Sequence, residues 1–232
     1  MHISSSLKHI FTYCNNKAFQ KIIFCISLII SAFIGIATSA AEPSKTSAKN
    51  TQTLIVAGGC FWCVESDFDV HPGVLDAVSG YIGGTTDNPT YKEVTYRDTG
   101  HYEAVKITFN ADQTSAKELT EYFWKTIDPI DPRGQFCDKG HSYKTALFYQ
   151  DDAQKTIFEQ SLDHLKNNKP FAGEISTVIL PAGTFYPAEN YHQDYKKKNA
   201  LRYYYYRTGC GRDKRIKQLW GEVASKGFDK KK

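Results

Sequence analysis

The sequence predicts an α/β fold, more closely an α+β two-layer sandwich with a ferredoxin-like core and a long irregular C-terminal tail. Short β-branched runs alternate with segments of helical periodicity, and glycine-rich turns separate them, which is typical of this class. Beyond Pro181 the chain is rich in tyrosine and has no clear periodicity. The 232 residues, 41% hydrophobic and 23% charged, suit one domain with an appendage.

The first half of the predicted domain contains three strands and one helix. The first strand is β-branched and ends at two glycines, and the helix after it carries Phe61, Val64 and Phe68 at helical spacing. Turn signals at Asn88-Pro89 and at 98–100 predict that the segment between the second and third strands is a loop. The predicted elements are strand 53–57, helix 60–70, strand 74–81, loop 85–100 and strand 104–109.

The second half of the predicted domain begins with a helix at Ser115, where Glu118 three residues later is the partner of a capping box. Leu119, Tyr122 and Phe123 share one face of this helix. Two prolines and two glycines make the next segment irregular. The remaining predicted elements are irregular segment 128–141, strand 145–149, helix 152–167, strand 175–180 and the tail.

The N-terminus predicts export. Lys8, Lys17 and Lys21 precede an apolar run over 22–37, and small residues follow it at 37–41, as in a secretory signal peptide. We therefore expect a periplasmic protein; an uncleaved membrane anchor is the alternative, although the run of about 16 residues is short for a spanning helix. The predicted organisation is signal peptide 1–40, disordered spacer 41–52, catalytic domain 53–222 and basic tail 223–232.

The charge of the predicted mature chain excludes some partners. The whole chain has 29 basic and 25 acidic residues, and the predicted leader holds three of the basic ones, which leaves a net charge of +1. Nothing in this balance favours a nucleic acid or a membrane surface as partner. We expect a monomer.

Four cysteines remain after the predicted leader: Cys60, Cys63, Cys137 and Cys210. Cys60 lies where a strand passes into a helix, and the unpaired N–H groups and positive dipole end of the helix there favour a thiolate. Glycines before it are expected to leave the sulfur accessible to solvent.

Cys60 and Cys63 share one helical face, close enough to react with each other. Three interpretations are open: dithiol redox chemistry, half of a zinc site, or a static disulfide. Structural zinc normally needs a second matching pair, and Cys137 and Cys210 are far apart in sequence, so we expect no metal.

Several motifs in the right order resemble those of A-type peptide methionine sulfoxide reductases. The likeness covers about residues 52–207 and depends on five segments and one residue pair. They are GCFWCVE at 59–65, GYIGG at 80–84, NPTY at 88–91, GHYEAV at 100–105, Asp138 with Tyr143, and YPAENYHQDY at 186–195.

The resemblance implies a role for each of these residues. Cys60 is the nucleophile that attacks the sulfoxide sulfur, and Glu103 is the acid that protonates the oxygen, which requires a raised pKa. Tyr91 and Tyr143 bind the sulfoxide oxygen. The remaining substrate-binding residues are Phe61 and Trp62, which form the wall for the methyl group, and Asp138, which orders the loop or a water.

The resemblance also implies how the enzyme is recycled. The attack leaves a sulfenic acid on Cys60, which a second thiol resolves as a disulfide. We expect Cys63 to act first and Cys210 to pass the disulfide outward to a thioredoxin-like electron donor, with Cys137 a buried bystander. The expected substrate is the S epimer of methionine sulfoxide, in peptides and proteins, and no cofactor is expected.

Three other functions fit parts of the sequence. A general thiol-disulfide oxidoreductase also has C-x-x-C at a helix start, but it would make no use of Glu103. A thiol hydrolase would pair Cys60 with His192 as base. A binding module would hold an inert disulfide.

Overall fold

The computed structural model describes residues 50–221. The predicted signal peptide, most of the predicted spacer and the basic tail 223–232 lie outside the described residues. Strand β1 begins at Thr51, so the prediction of disorder is wrong for Thr51 and Gln52. Within the described part of the chain, no helix combines the length and the apolar character needed to cross a membrane.

Strands and helices alternate through most of the described chain, and three helices end it. In chain order the elements are β1 (Thr51–Gly58), α1 (Phe61–Phe68), β2 (Val74–Ile82), α2 (Tyr91–Tyr96), β3 (Tyr102–Asn110), α3 (Ala116–Trp124), β4 (Gly134–Gln135), β5 (Asp138–Lys139), a 3₁₀ turn (His141–Tyr143), β6 (Thr145–Tyr149), α4 (Asp152–Asn168), β7 (Val178–Pro181), β8 (Tyr186–Pro187), α5 (Tyr195–Lys198), α6 (Ala200–Gly209) and α7 (Arg212–Trp220).

The main sheet has six strands in the order β7-β6-β1-β3-β2-β8. Its centre is antiparallel, and only β6 and β7 pair in parallel. The unit β1-α1-β2-β3-α3-β6, with β6, β1, β3 and β2 side by side, is the predicted ferredoxin-like core. Strands β4 and β5 form a separate two-stranded ribbon.

Alternation along β1 and β3 divides the apolar side chains between two faces of the sheet. Leu54 and Val56 lie with Phe61 and Val64 of α1 in the main core, whereas Ile55 packs in a smaller cluster on the opposite face. On β3, Glu103 has the same parity as Val105, Ile107 and Phe109, which belong to the main core. The strand therefore directs the Glu103 carboxyl toward α1.

Two predicted irregular segments contain helices. Within the predicted loop 85–100, Thr90 and Glu93 form a capping box that begins α2. The prediction of an irregular C-terminal tail is wrong, because helices α5, α6 and α7 occupy much of that segment. Burial of Tyr203, Arg207 and Ile216 holds these helices against the rest of the domain, and tertiary packing of this kind overrides weak local periodicity.

Candidate active site

Cys60 is the residue that precedes the first turn of α1, directly after β1. Gly59 has φ +81°, and a Cβ there would lie 2.5 Å from the Cβ of Gln135, so the turn that places Cys60 requires glycine. Cys60 is only 6% exposed. The expectation of a solvent-accessible sulfur is therefore wrong for this structure.

Burial also decides the ionisation of Cys60. It raises the pKa of the thiol well above its usual value, and the neighbouring Cys63 and Glu103 add to the effect. The prediction that the helix start favours a thiolate is thus wrong for the unliganded protein, because desolvation outweighs the helix dipole. The pKa of Cys63 is lowered, first by its hydrogen bond with Cys60 and then, against its burial, by the charges of Arg212 and Arg207.

Glu103 lies beside Cys60 on the helix face of the sheet. Its side chain is 2% exposed, and its Oε2 accepts a hydrogen bond from the backbone N–H of Phe61 at 3.0 Å. Burial raises the pKa of Glu103 to about 8, although the Phe61 hydrogen bond opposes this. The carboxyl group is therefore mostly protonated at pH 7 and can act as a proton donor.

Phe61 and Trp62 form an aromatic wall next to Cys60. The Phe61 ring lies 6.3 Å from that of Tyr91 and 4.9 Å from that of His192. Trp62 stacks on Tyr195 with ring centroids 3.7 Å apart, and its indole N–H donates to Nδ1 of His192 at 2.9 Å. Since that nitrogen is already an acceptor, it is not free to serve as the base that a thiol hydrolase would need.

Tyr91 and Tyr143 lie near each other at the site, where each affects the pKa of the other. Burial raises the pKa of Tyr91 to about 12 and that of Tyr143 well above its usual value, so both remain phenols that can donate hydrogen bonds. Glu189 accepts the backbone N–H of Tyr91 and the hydroxyl of Tyr81, each at 2.8 Å. Glu189 thereby fixes the start of α2 at the site.

Asp138 is the first residue of β5, and burial raises the pKa of its carboxyl group. The hydroxyl of Tyr206 on α6 donates to Oδ2 of Asp138, and the Tyr206 side chain packs against the cluster that contains Cys60. Tyr206 is not among the site residues that the sequence predicts. Among 15 tyrosines, no local pattern distinguishes it.

Cys137 and Cys210 form a disulfide. The expectation that Cys137 is a buried bystander is therefore wrong: it is exposed and covalently joined to the end of α6. Cys60 and Cys63 are both free and buried. The structure thus separates the four cysteines into an inner dithiol and an outer disulfide.

A buried ionic group attaches the C-terminal helices to α1. Asp67 of α1 contacts Nη1 of Arg207 at 2.8 Å and Nε of Arg212 at 3.7 Å. Arg212 also donates to the backbone oxygens of Gly58 and Thr126. Buried charges are tolerated when they are paired in this way, and here they hold α6 over the site.

Two groups of side chains among the described residues have the geometry to bind a metal ion. In the first, Cys137 and Cys210 are bonded to each other beside Asp138. In the second, formed by Glu65, Asp69 and Asp194, the ammonium of Lys197 lies 2.9 Å from Asp69 and 2.6 Å from Asp194. A lysine thus supplies the positive charge in that group.

The buried dithiol, the neutral acid and the paired phenols define a thiol-dependent oxidoreductase. The family model described as "Peptide methionine sulfoxide reductase" matches residues 52–224. The peptide methionine sulfoxide reductase MsrA of Bacillus licheniformis is 50% identical over 174 residues, 75% of this chain and 96% of that protein. The MsrA 2 protein of Caulobacter vibrioides is 46% identical over 194 residues, 84% of this chain and 98% of that protein.

Solved structures agree with this match. Methionine sulfoxide reductase A of Corynebacterium diphtheriae has a TM-score of 0.58 at 32% identity, covering 66% of this chain and 77% of that one. The reduced form of Mxr1 from Saccharomyces cerevisiae has a TM-score of 0.60 at 31% identity, covering 65% and 87%. The chain belongs to the peptide methionine sulfoxide reductase family, and it is an oxidoreductase that reduces methionine sulfoxide.

Proposed function

We propose that Cys60 is the nucleophile and Glu103 the proton donor for reduction of the S epimer of methionine sulfoxide. The observation that carries this assignment is the buried Glu103 carboxyl group beside the start of α1, hydrogen-bonded to the N–H of Phe61 and mostly neutral at pH 7. A neutral acid next to a thiol suits a reaction in which the oxygen must gain a proton as the sulfur is attacked.

The substrate lies with its methyl group against Phe61 and Trp62 and its oxygen toward Glu103, Tyr91 and Tyr143. The Cys60 sulfur bonds to the sulfoxide sulfur while Glu103 gives its proton to the oxygen, and the proton that leaves the Cys60 thiol restores the Glu103 acid. The oxygen then passes to Cys60 and methionine leaves. The enzyme gains one oxygen atom as a sulfenic acid, and the substrate is reduced by two electrons.

Cys63 resolves the sulfenic acid. Its free thiol lies in the same buried cluster as Cys60, and its attack on the oxidised sulfur forms the Cys60–Cys63 disulfide and releases water. A dithiol of the thioredoxin class then reduces this disulfide by thiol exchange and becomes oxidised itself. Because Cys210 is bonded to Cys137 in this structure, any relay through Cys210 has to involve the outer disulfide.

Replacement of Cys63 by serine tests the resolving role. We expect Cys63→Ser to release about one equivalent of methionine per enzyme in a single turnover and to lose most multiple turnover with thioredoxin, since the sulfenic acid has no adjacent thiol. Rapid quench with quantitation of methionine measures both. Cys210→Ser is the comparison: full thioredoxin-dependent turnover in Cys63→Ser together with its loss in Cys210→Ser would assign resolution to Cys210.

We also propose that the protein is exported to the periplasm by cleavage of its N-terminal segment. The basic residues, the apolar run and the small residues of the first 41 positions support this proposal. We expect the mass of protein recovered from the periplasmic fraction of a bacterial host to correspond to a chain that begins near residue 41. Recovery of the full-length mass from membranes would instead identify an uncleaved anchor.

A further inference from the structure

The environment of Tyr206 is not explained by the roles assigned so far. Its hydroxyl donates to Oδ2 of Asp138, and its side chain packs against the cluster that contains Cys60, where the hydroxyl lowers the pKa of the Cys60 thiol against the larger effect of burial. Its ring packs edge-on against Trp62, with centroids 5.7 Å apart. One hydroxyl group therefore lies between the reacting sulfur and a half-buried carboxylate.

A phenol has a single proton and can donate to only one of these two acceptors at a time. While Cys60 is a neutral thiol, the charged carboxylate of Asp138 is the stronger acceptor. As Cys60 loses its proton and attacks, negative charge develops on the sulfur, and the sulfur becomes a competing acceptor. Burial raises the pKa of Tyr206 far above its usual value, so the proton stays on the tyrosine throughout.

Three attachments hold Tyr206 in this position. Arg207, the next residue, is ion-paired with Asp67 of α1. Cys210, one helical turn later, forms the disulfide with Cys137, the residue before Asp138. The backbone N–H of Cys210 also donates to the carbonyl oxygen of Tyr206 at 2.9 Å. The outer disulfide therefore joins the segment that carries the donor to the segment that carries its resting acceptor.

We propose that Tyr206 is a further residue of the active site, which turns its hydroxyl proton from Asp138 to the Cys60 sulfur as that sulfur becomes anionic, and that the Cys137–Cys210 disulfide positions it to do so. This inference rests on the proposed function of Cys60 as the nucleophile. On this proposal the outer disulfide has a structural role at the active site, and this role needs no thiol-disulfide exchange with Cys60 or Cys63.

The test measures the reactivity of Cys60 toward iodoacetamide as a function of pH, with Cys60 and Cys63 distinguished by peptide mass spectrometry. The titratable groups that face Cys60 or its neighbours in the site are Cys63, Glu103, Tyr91, Tyr143, Asp138 and Tyr206. The substitution Tyr206→Phe removes the hydroxyl of one of these groups and keeps the aromatic ring against Trp62.

We expect Tyr206→Phe to lower the rate of Cys60 alkylation at pH 8 about tenfold and to move the profile to higher pH, because an anion loses a charge-assisted hydrogen bond. Tyr205→Phe, which alters an exposed neighbour on α6, should reproduce the parent profile. Superimposable profiles for Tyr206→Phe and the parent protein would overturn the proposal.

A double variant, Cys137→Ser with Cys210→Ser, tests the positioning role independently of the first variant. It should shift the profile in the same direction, and adding Tyr206→Phe to it should change little more, because both act through one hydroxyl. Fully additive effects would refute the link between the disulfide and Tyr206. Alkylation needs no sulfoxide, so a negative result here leaves the assignment of Cys60 as nucleophile untouched.

Discussion

Cys60→Ser is expected to lower methionine sulfoxide reduction by at least about 10⁴-fold, to the background of the uncatalysed reaction, because removal of a covalent nucleophile eliminates the whole reaction path. Serine keeps the size of the side chain but cannot form a sulfenic acid. The measurement is release of methionine from a methionine sulfoxide peptide with dithiothreitol as reductant. The chemical reductant avoids dependence on any protein donor.

Cys63→Ser is the matched control, since it alters a buried cysteine of the same helix but should retain one turnover. Trapping with dimedone should label Cys60 in that variant after one equivalent of substrate and label nothing in Cys60→Ser. Thermal unfolding should show that both variants are folded. Substantial turnover by folded Cys60→Ser would refute the assignment of the nucleophile.

Glu103→Gln should lower kcat/KM by about 10²- to 10⁴-fold, the contribution usual for a positioned general acid. Glutamine fits the same space but has no proton to give to the sulfoxide oxygen. The measurement is the initial rate at low concentrations of sulfoxide peptide. Glu121→Gln, which alters an exposed carboxylate on α3, should leave kcat/KM unchanged.

The pH dependence provides a second test of Glu103. Burial raises its pKa to about 8, so the protonated form that can act as acid predominates below that pH and disappears above it. Activity of the parent protein should therefore fall as the pH rises through about 8. In Glu103→Gln the low remaining activity should lack this decline, and an unchanged decline would show that another group causes it.

Much of the fold follows from local sequence signals. The Gly58-Gly59 turn between a β-branched strand and an amphipathic segment indicates where β1 ends and α1 begins, and the alternation of apolar and polar residues over 104–109 predicts most of β3. These relationships involve residues close together in the chain. Cys60, Glu103 and the two phenols are distant from one another in the chain, and only the resemblance of their motifs to those of a known family brings them into one hypothesis.

What the sequence does not reveal depends on contacts between distant residues. The exposure and ionisation of Cys60 were predicted from its own helix, but the C-terminal helices that pack over it decide both. Tyr206 is separated by 68 positions from Asp138, its hydrogen-bond partner, and Cys210 by 73 from Cys137. Pairings over such separations leave no periodic or compositional pattern along the chain.

The neutral thiol at Cys60 has a consequence for how the enzyme uses its reductant under oxidative stress. Hydrogen peroxide reacts with thiolates and hardly at all with thiols, so a nucleophile that keeps its proton while the pocket is empty resists oxidation by peroxide, which would consume reductant without repairing a methionine. Activation then has to accompany the arrival of a sulfoxide beside Glu103. Burial of Cys60 thereby limits its reactions in the absence of a substrate and favours its reaction with a bound sulfoxide.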